Sequence, residues 1–164
     1  MTHMRRTKCL FVSFCTIVVV RRKTTSSNRC SPAAVCPFGM TYADIGKGFI
    51  DQYYAIFGTN RAQCQGIYRE TSVMTWSGEN LAGVANIMTK FASLPFNQAR
   101  FNPTEVVYQP INQAGILVVA NGECVLEGES HTLAFNDVFH LALDATGQWY
   151  VANQVFRILG GGSH

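Results

Sequence analysis

The sequence predicts an α+β domain in which helices pack on one face of a curved antiparallel sheet. Two observations support this fold class. Apolar residues recur at helical spacing in the first half of residues 40–164, whereas the second half alternates between apolar and polar residues and is divided by turn sequences. Helices first and strands afterwards is an order typical of α+β domains. A curved sheet with helices across one face makes a cone, and its open end is a candidate pocket.

The first predicted helix covers residues 41–60, "TYADIGKGFIDQYYAIFGTN". Thr41 and Asp44 have the spacing of a capping box, and Gly58 is typical of a helix C-terminus. Apolar residues recur between them at spacings of three and four: Ile45, Phe49, Tyr53 and Ile56. This pattern gives the helix one apolar face that can pack on a sheet.

Two shorter helices and five strands are predicted after it. "RAQCQGIY" (residues 61–68) and "GVANIMTKFASL" (residues 83–94) have the pattern of helices, and Pro95 stops the second one. "SVMTW" (residues 72–76) predicts a strand that ends at a "SGEN" turn. Four further segments predict the remaining strands: "FNPTEVVYQPI", "GILVVANGECVLEG", "HTLAFNDVFHLALD" and "WYVANQVFRIL".

Charge is unevenly distributed along the chain. Residues 1–39 carry seven basic side chains and no acidic one, whereas residues 40–164 carry six basic and ten acidic side chains, a net charge of −4. We therefore predict one acidic folded domain at residues 40–159, whose partners are neither nucleic acid nor membrane. Residues 160–164, "GGGSH", are predicted to be a flexible tail.

Residues 1–39 form a basic, cysteine-containing N-terminal extension with three open interpretations. Its apolar segment "CLFVSFCTIVVV" is too short to span a bilayer but has the length of a signal-peptide apolar region. The basic, acid-free composition also fits an organelle transit peptide. Alternatively, Met40 is the natural start, and the preceding residues come from an over-extended gene model.

The folded part contains two cysteines, Cys64 and Cys124. Neither belongs to a C-x-x-C pair or has a zinc-type spacing with histidine. We expect both to be small buried hydrophobic residues in a reducing compartment. The sequence accordingly predicts neither a metal site nor a cofactor.

Few residues are candidates for catalysis. Asp137 and His140 stand three apart on a predicted strand, so they face opposite sides of the sheet. His131 and Asp137 face the same side, but about 20 Å of strand separates them, which is too far for a hydrogen bond. The sequence contains neither a nucleophile elbow nor a phosphate-binding loop. We therefore predict no catalytic residue and no enzymatic function.

Acidic residues cluster in "ECVLEGE", around a predicted turn. Glu123, Glu127 and Glu129 share one strand parity. They are either a solvated strand edge that resists aggregation or a docking site for a basic side chain of a partner.

Several dispersed blocks together resemble the nuclear transport factor 2 family, the import carriers of the small GTPase Ran. These blocks are "IGKGFIDQYYAIFGTNRAQ", "IYRETSVMTWSG", "KFASLPF", "YQPI" and "QVFRIL". The similarity is nearly collinear and covers about residues 41–159. It implies a homodimer of cone-shaped α+β subunits without catalysis. It also implies binding of Ran-GDP and of phenylalanine-glycine repeats of nucleoporins, in the cytoplasm and nucleus with enrichment at the nuclear pore.

The resemblance also assigns apolar residues to the Ran-binding site. It implies that Trp76 lines the mouth of the cone and receives an aromatic side chain of Ran. Phe96 and Phe156 would contribute to the same apolar pocket. A buried aromatic anchor with polar contacts around it supplies most of the energy of a small interface.

Polar and nucleoporin contacts follow from the same resemblance. The acidic rim of the family corresponds to Glu127 and Glu129, after a one-residue shift of the local alignment. The glutamate that follows the tryptophan in the family is Ser77 here, and Glu79 across the turn is a candidate for the missing carboxylate. Tyr42 stands where the family uses an exposed tryptophan to bind nucleoporin phenylalanines, or else packs on its own domain.

Two alternatives remain beside the carrier. One is an accessory subunit like the small partner of the messenger-RNA export receptor, which shares the fold and forms heterodimers. The other is a cavity enzyme of the isomerase or dehydratase type, which would need an acid and a base inside the cone. Trp76 with Glu127 and Glu129 favours the carrier, whereas Ser77 keeps the accessory subunit open.

Overall fold

A computed structural model of the chain describes residues 39–159. Within this range the helices are α1 (Tyr42–Thr59), a 3₁₀ helix (Arg61–Ile67) and α2 (Val84–Ala92). The strands are β1 (Val73–Trp76), β2 (Glu79–Ala82), β3 (Ala99–Asn112), β4 (Gly115–Leu126), β5 (Leu133–Leu143) and β6 (Trp149–Leu159). The expectations for residues 1–38 and for the tail at 160–164 fall outside the described residues.

The capping box at the start of α1 is confirmed. The backbone N–H of Thr41 donates to Oδ2 of Asp44 over 3.0 Å, and the N–H of Asp44 donates to the Thr41 hydroxyl over 3.2 Å. Two N–H groups that the first helical turn leaves without a partner are satisfied in this way. The second predicted helix is also present, although it has 3₁₀ rather than α geometry.

Gly58 does not end α1, because the helix continues to Thr59. Gly58 instead allows close contact between α1 and β3. A Cβ atom at Gly58 would lie 2.3 Å from the carbonyl oxygen of Ala99, and one at Gly46 would lie 2.4 Å from the ring of Tyr108. The two glycines therefore allow α1 to lie directly on β3.

The six strands form one sheet in the order β2-β1-β6-β5-β4-β3. All neighbours pair antiparallel except β1 and β6, which are parallel, with Trp76 opposite Phe156. The prediction of an antiparallel sheet is therefore wrong at this one pair. Periodicity identifies a strand and its faces but does not reveal the direction of a neighbour that lies about 80 residues away in the chain.

The predicted "SGEN" turn is shorter than expected. Ser77 and Gly78 alone make the turn, with φ angles of 48° and 96°. Glu79 already pairs with Trp76 as the first residue of β2. A two-residue loop with positive φ at both positions matches the twist of a hairpin, so the chain can reverse without a longer loop.

The two faces of the sheet have different surroundings. On the covered face, Phe139 of β5 contacts Phe49 and Tyr53 of α1, with ring centroids 5.2 and 4.9 Å away. The opposite, outer face carries a valine row in register across four strands: Val107, Val119, Val138 and Val155. The covered face thus holds the aromatic core, and the outer face is left without a helix among the described residues.

Candidate functional site

A groove lies between α1, the start of β3 and the end of β4. Its volume is about 810 Å³. Its apolar wall and floor come from Ile50, Tyr54, Phe101, Val125 and Leu126, and Glu127 stands at its border. A concave, mainly apolar surface with a few polar groups is the usual form of a binding site. We call it the α1–β3 groove.

The floor of the α1–β3 groove is continuous with the aromatic core. The ring of Phe101 stacks on that of Tyr54 at 5.2 Å and meets Phe135 edge to face at 5.3 Å. Behind Phe101 lies Phe156, 6.3 Å away. The floor is therefore held by packed rings and has little freedom to rearrange when a partner binds.

None of the three aromatic residues assigned to the Ran pocket lines the α1–β3 groove. Trp76 and Phe156 stack at 4.2 Å and are only 9% and 2% exposed. Phe96 is 7% exposed, because the guanidinium of Arg61 covers its ring at 4.6 Å and also donates to the Phe96 carbonyl. The structure brings Trp76 and Phe156 together, while the half-buried Phe101 and Leu126 form the surface that a partner could reach, with the buried Tyr54 stacked against Phe101.

Sequence reasoning missed Phe101, Tyr54 and Leu126. Phe101 opens the predicted strand "FNPTEVVYQPI", and Tyr54 follows Tyr53 in the predicted helix. Their residue types gave no sign that they would stay at an opening, because aromatic residues in strands and helices usually belong to the core. The position of α1 over the sheet decides which rings remain accessible.

The acidic residues flank a turn, as predicted, but the common strand parity predicted for them does not extend past the end of β4. Glu123 is exposed on β4, but β4 ends at Leu126, and Glu127 and Glu129 belong to the following turn. The Oε2 atom of Glu127 accepts hydrogen bonds from the backbone N–H groups of Asn97 and Gln98, over 2.8 and 3.1 Å.

The two rim acids, Glu127 and Glu129, therefore have different roles. Glu127 holds the segment that leads into β3, at the edge of the α1–β3 groove. The Glu129 side chain is 48% exposed, and its Oε2 lies 3.8 Å from Nδ1 of His131. Glu129 is the more open of the two to a basic side chain from outside.

Glu79 lies apart from the groove. Its Oε2 accepts from Nζ of Lys90 in α2 over 2.6 Å, and both residues border a smaller depression between β2 and α2. The proposed replacement for the missing carboxylate is thus already engaged by a cation of the same chain. Ser77, at the turn, donates its backbone N–H to the carbonyl of Phe156.

Tyr42 is the first residue of α1 and packs, half-buried, against the edge of the core. Its ring is partly available at the surface, as both interpretations of this position require. Binding of nucleoporin repeats there stays a prediction.

The candidate catalytic residues are separated as predicted. Asp137 is fully buried on the covered face of β5, whereas His140 is on the outer face, with Nδ1 3.2 Å from Oδ1 of Asn153. His131 is exposed in the turn before β5. Among residues 39–159 no group of three or more histidine, cysteine, aspartate or glutamate side chains is arranged to hold a metal ion.

Both cysteines of the folded part are buried free thiols, as the sequence predicted. Burial raises the pKa of the Cys64 thiol to about 12 and that of Cys124 to about 11. Within the range described, no helix combines the length and apolar character needed to cross a bilayer.

Residues 45–158 match the family model of the nuclear transport factor 2 (NTF2) domain. The chain belongs to this family. Nuclear transport factor 2B of Arabidopsis thaliana is 40% identical over 115 residues, which are 70% of this chain and 91% of the relative. The structure of nuclear transport factor 2 from Cryptosporidium parvum is 34% identical with a TM-score of 0.67, covering 72% of this chain and 94% of that chain.

Proteins other than transport factors share the nuclear transport factor 2 fold. A putative scytalone dehydratase from Novosphingobium aromaticivorans has a TM-score of 0.59 over 70% of this chain and 81% of its own, at 9% identity. That likeness concerns the fold alone. The two more similar relatives are transport factors by name, and the α+β fold with its helix-covered sheet agrees with membership in their family.

Proposed function

We propose that the protein is a nucleocytoplasmic transport factor that binds Ran-GDP and the phenylalanine-glycine repeats of nucleoporins. In this role it imports Ran into the nucleus and is found in the cytoplasm and nucleus, enriched at the nuclear pore. The observation that carries the proposal is the α1–β3 groove, an apolar opening bordered by acidic residues in a chain of the nuclear transport factor 2 family.

An aromatic side chain of Ran occupies the α1–β3 groove in this proposal. Phe101 offers its half-buried ring, which is backed by the buried ring of Tyr54, and Leu126 offers an aliphatic wall. Burying an aromatic side chain in a preformed apolar site is the usual source of an interface hot spot. Trp76 and Phe156 support the floor from behind, so their contribution is indirect.

The rim supplies charge complementarity. Glu129 meets a basic side chain of Ran directly, and Glu127 adds negative charge while it holds Asn97 and Gln98. Charges at the edge of an interface mainly speed association and reject wrong partners. Because Glu79 pairs with Lys90, it adds less than a free carboxylate would.

Homodimerisation uses the outer face of the sheet. The valine row crosses four strands, no helix of residues 39–159 lies over it, and Asn136 donates to Asn121 beside it over 2.7 Å. An apolar band with polar groups alongside is suited to pairing with a second copy. Tyr42, at the edge of the core, contributes an aromatic contact for nucleoporin phenylalanines.

Calorimetric titration of the full chain with Ran tests this proposal. Ran loaded with GDP is expected to bind, and Ran loaded with a GTP analogue is not. Binding to neither form would overturn the carrier function. Trp76→Ala is a poor probe, because removing a buried indole opens a cavity and destabilises the domain itself.

The accessory subunit of a messenger-RNA export receptor is the second candidate. It is favoured by Ser77 in place of the family glutamate and by the pairing of Glu79 with Lys90. It predicts weak self-association and no need for Glu129. Light scattering on the same sample therefore separates the two candidates, since the carrier is a homodimer.

A further inference from the structure

A closed polar cluster lies between α1 and the covered face of the sheet. Its centre is Asp137 of β5, which is fully buried, beside Gln154 of β6, which is 1% exposed. Nε2 of Gln154 lies 2.9 Å from Oδ1 and 3.1 Å from Oδ2 of Asp137, and it also donates to the hydroxyl of Tyr53 over 3.0 Å. The Tyr54 hydroxyl is 3.4 Å from Oδ2 of Asp137.

The cluster connects three parts of the domain: α1, the end of the 3₁₀ helix and the sheet. Tyr53 and Tyr54 belong to α1, and Tyr68 follows the 3₁₀ helix and donates its hydroxyl to Oε1 of Gln154. The polar side-chain atoms of these tyrosines, of Gln154 and of Asp137 all have hydrogen-bond partners. Helix α1 is thus attached to the sheet by polar contacts as well as by ring packing.

In the part of the chain that the structure describes, no cationic side chain pairs with Asp137. It takes part in none of the ion pairs among residues 39–159. The titratable groups that face the cluster, from every element packed around it, are acids in their neutral form: Tyr53, Tyr54, Tyr68, Cys64 and Cys124. A buried carboxylate without a countercharge is costly, and a protein usually avoids this cost by protonating the group.

Hydrogen-bond geometry is compatible with a neutral acid. Oδ1 accepts from Gln154, and the Tyr54 hydroxyl, which donates to Oδ2 when Asp137 is ionised, can instead accept from a proton on Oδ2, because a hydroxyl oxygen serves both roles. Burial raises the pKa of Asp137 well above its usual range, while the hydrogen bonds from Gln154 and Tyr54 act in the opposite direction and are the smaller effect.

We propose that Asp137 is a pH-sensitive latch between α1 and the sheet: it is a neutral carboxylic acid in the folded domain, and its ionisation loosens α1. The proton goes to the solvent, and the remaining carboxylate needs water that the closed cluster does not admit. Opening the interface beneath α1 hydrates it. Because Tyr54 belongs both to the cluster and to the α1–β3 groove, the latch also sets the shape of that groove.

The direction of the pH dependence follows from the raised pKa. The unfolded chain ionises at the ordinary pKa of aspartate, about 3.9, whereas the folded domain keeps its proton to higher pH. The stability is therefore fully present below that value and is lost as pH rises toward the folded-state pKa. Over this interval the unfolding equilibrium constant rises about tenfold per pH unit, the effect of one proton.

Urea unfolding of the full chain between pH 5 and pH 8 tests the latch. Asp137→Asn mimics the neutral acid, because its amide donates to Tyr54 and its oxygen accepts from Gln154. The free energy of unfolding of the variant should fall less steeply with pH than that of the wild type, by the contribution of one titrating proton. The variant should also be the more stable protein at pH 8. Glu70→Gln, at an exposed carboxylate, is the matched control and keeps the wild-type dependence.

Two results would overturn the proposal. One is an Asp137→Asn variant that is less stable than the wild type at every pH and whose free energy of unfolding has the same slope with pH. This result would mean that Asp137 is ionised in the folded wild type. The other needs no variant: the infrared spectrum of the wild type at pH 7 should contain the carbonyl stretch of a protonated carboxylic acid, and its absence contradicts the latch. Hydrogen exchange in α1, corrected for intrinsic rates, should accelerate with pH in the wild type and not in Asp137→Asn.

Discussion

On β5, Phe139 points to the covered face of the sheet and Val138, one residue earlier, points to the outer face. Phe139 is completely buried between rings of α1, whereas Val138 lies partly exposed in the valine row. The same backbone therefore contributes to two surfaces of opposite use. The covered face holds the domain together, and the outer face is the one that we propose for pairing with a second copy.

Polar groups differ between the two faces in the same way. Asp137 and Gln154 are sealed on the covered face, where each polar atom needs a partner within the protein. Asn136 and Asn121 bond to each other on the outer face, which water can reach. A change of polarity is consequently expected to affect folding on one face and association on the other.

The largest expected effect comes from removing a ring on the covered face. Phe139→Ala should lower the free energy of unfolding by about 3–5 kcal/mol, because it leaves a cavity among packed rings. Val138→Ala, its neighbour on the outer face, should cost about 1 kcal/mol or less at a protein concentration where the monomer dominates. Urea denaturation measures both, and equal losses would contradict the division between the faces.

A smaller effect on the fold, but a large one on assembly, is expected from a charge in the valine row. Val119→Lys should shift the protein from dimer to monomer at micromolar concentration, because an unpaired ammonium would be buried at the interface. Light scattering measures the mass, and circular dichroism checks that the fold is kept. Ala145→Lys, in the exposed turn before β6, is the control and should remain dimeric.

Substitution of the rim acids after β4, Glu127 and Glu129, is expected to have moderate effects on Ran binding. Glu129→Gln should weaken Ran-GDP binding by about two- to fivefold, mainly through slower association at low salt. Glu127→Gln keeps an acceptor for Asn97 and Gln98, whereas Glu127→Ala loses it and should also lower stability. Association rates at two salt concentrations test this, with Glu70→Gln as the control. Equal rates for Glu129→Gln and Glu70→Gln would remove Glu129 from the site.

The smallest effect is expected at the β1–β2 hairpin. Lys90→Gln frees Glu79 from its ion pair and should strengthen Ran-GDP binding by at most about fivefold, since exposed ion pairs are weak. Calorimetry detects such a change. The double variant Lys90→Gln with Glu79→Gln should return to the affinity of the wild type or below it. A gain that persists in the double variant would mean that Glu79 is not the group released.

The site was less predictable than the fold. The spacing of Thr41 and Asp44 and the alternation along β3 to β6 were enough to predict α1 and the long strands. Glu127 was predicted only as a rim acid, and its hydrogen bonds to Asn97 and Gln98 could not be foreseen, because they depend on how the segment before β3 meets the turn after β4. Likewise, Trp76 was placed at the mouth of the cone, whereas Phe101 occupies the accessible surface.

The sequence by itself determined the local elements, the face on which each strand residue lies and membership in the nuclear transport factor 2 family. These properties follow from the helical and strand periods, which the chain geometry sets over a few residues. Only the tertiary structure decided the parallel pairing of β1 with β6, the rings that line the α1–β3 groove and the closure of the cluster around Asp137. Each of these depends on contacts between residues far apart in the chain, such as Tyr54 with Asp137, which no local pattern encodes.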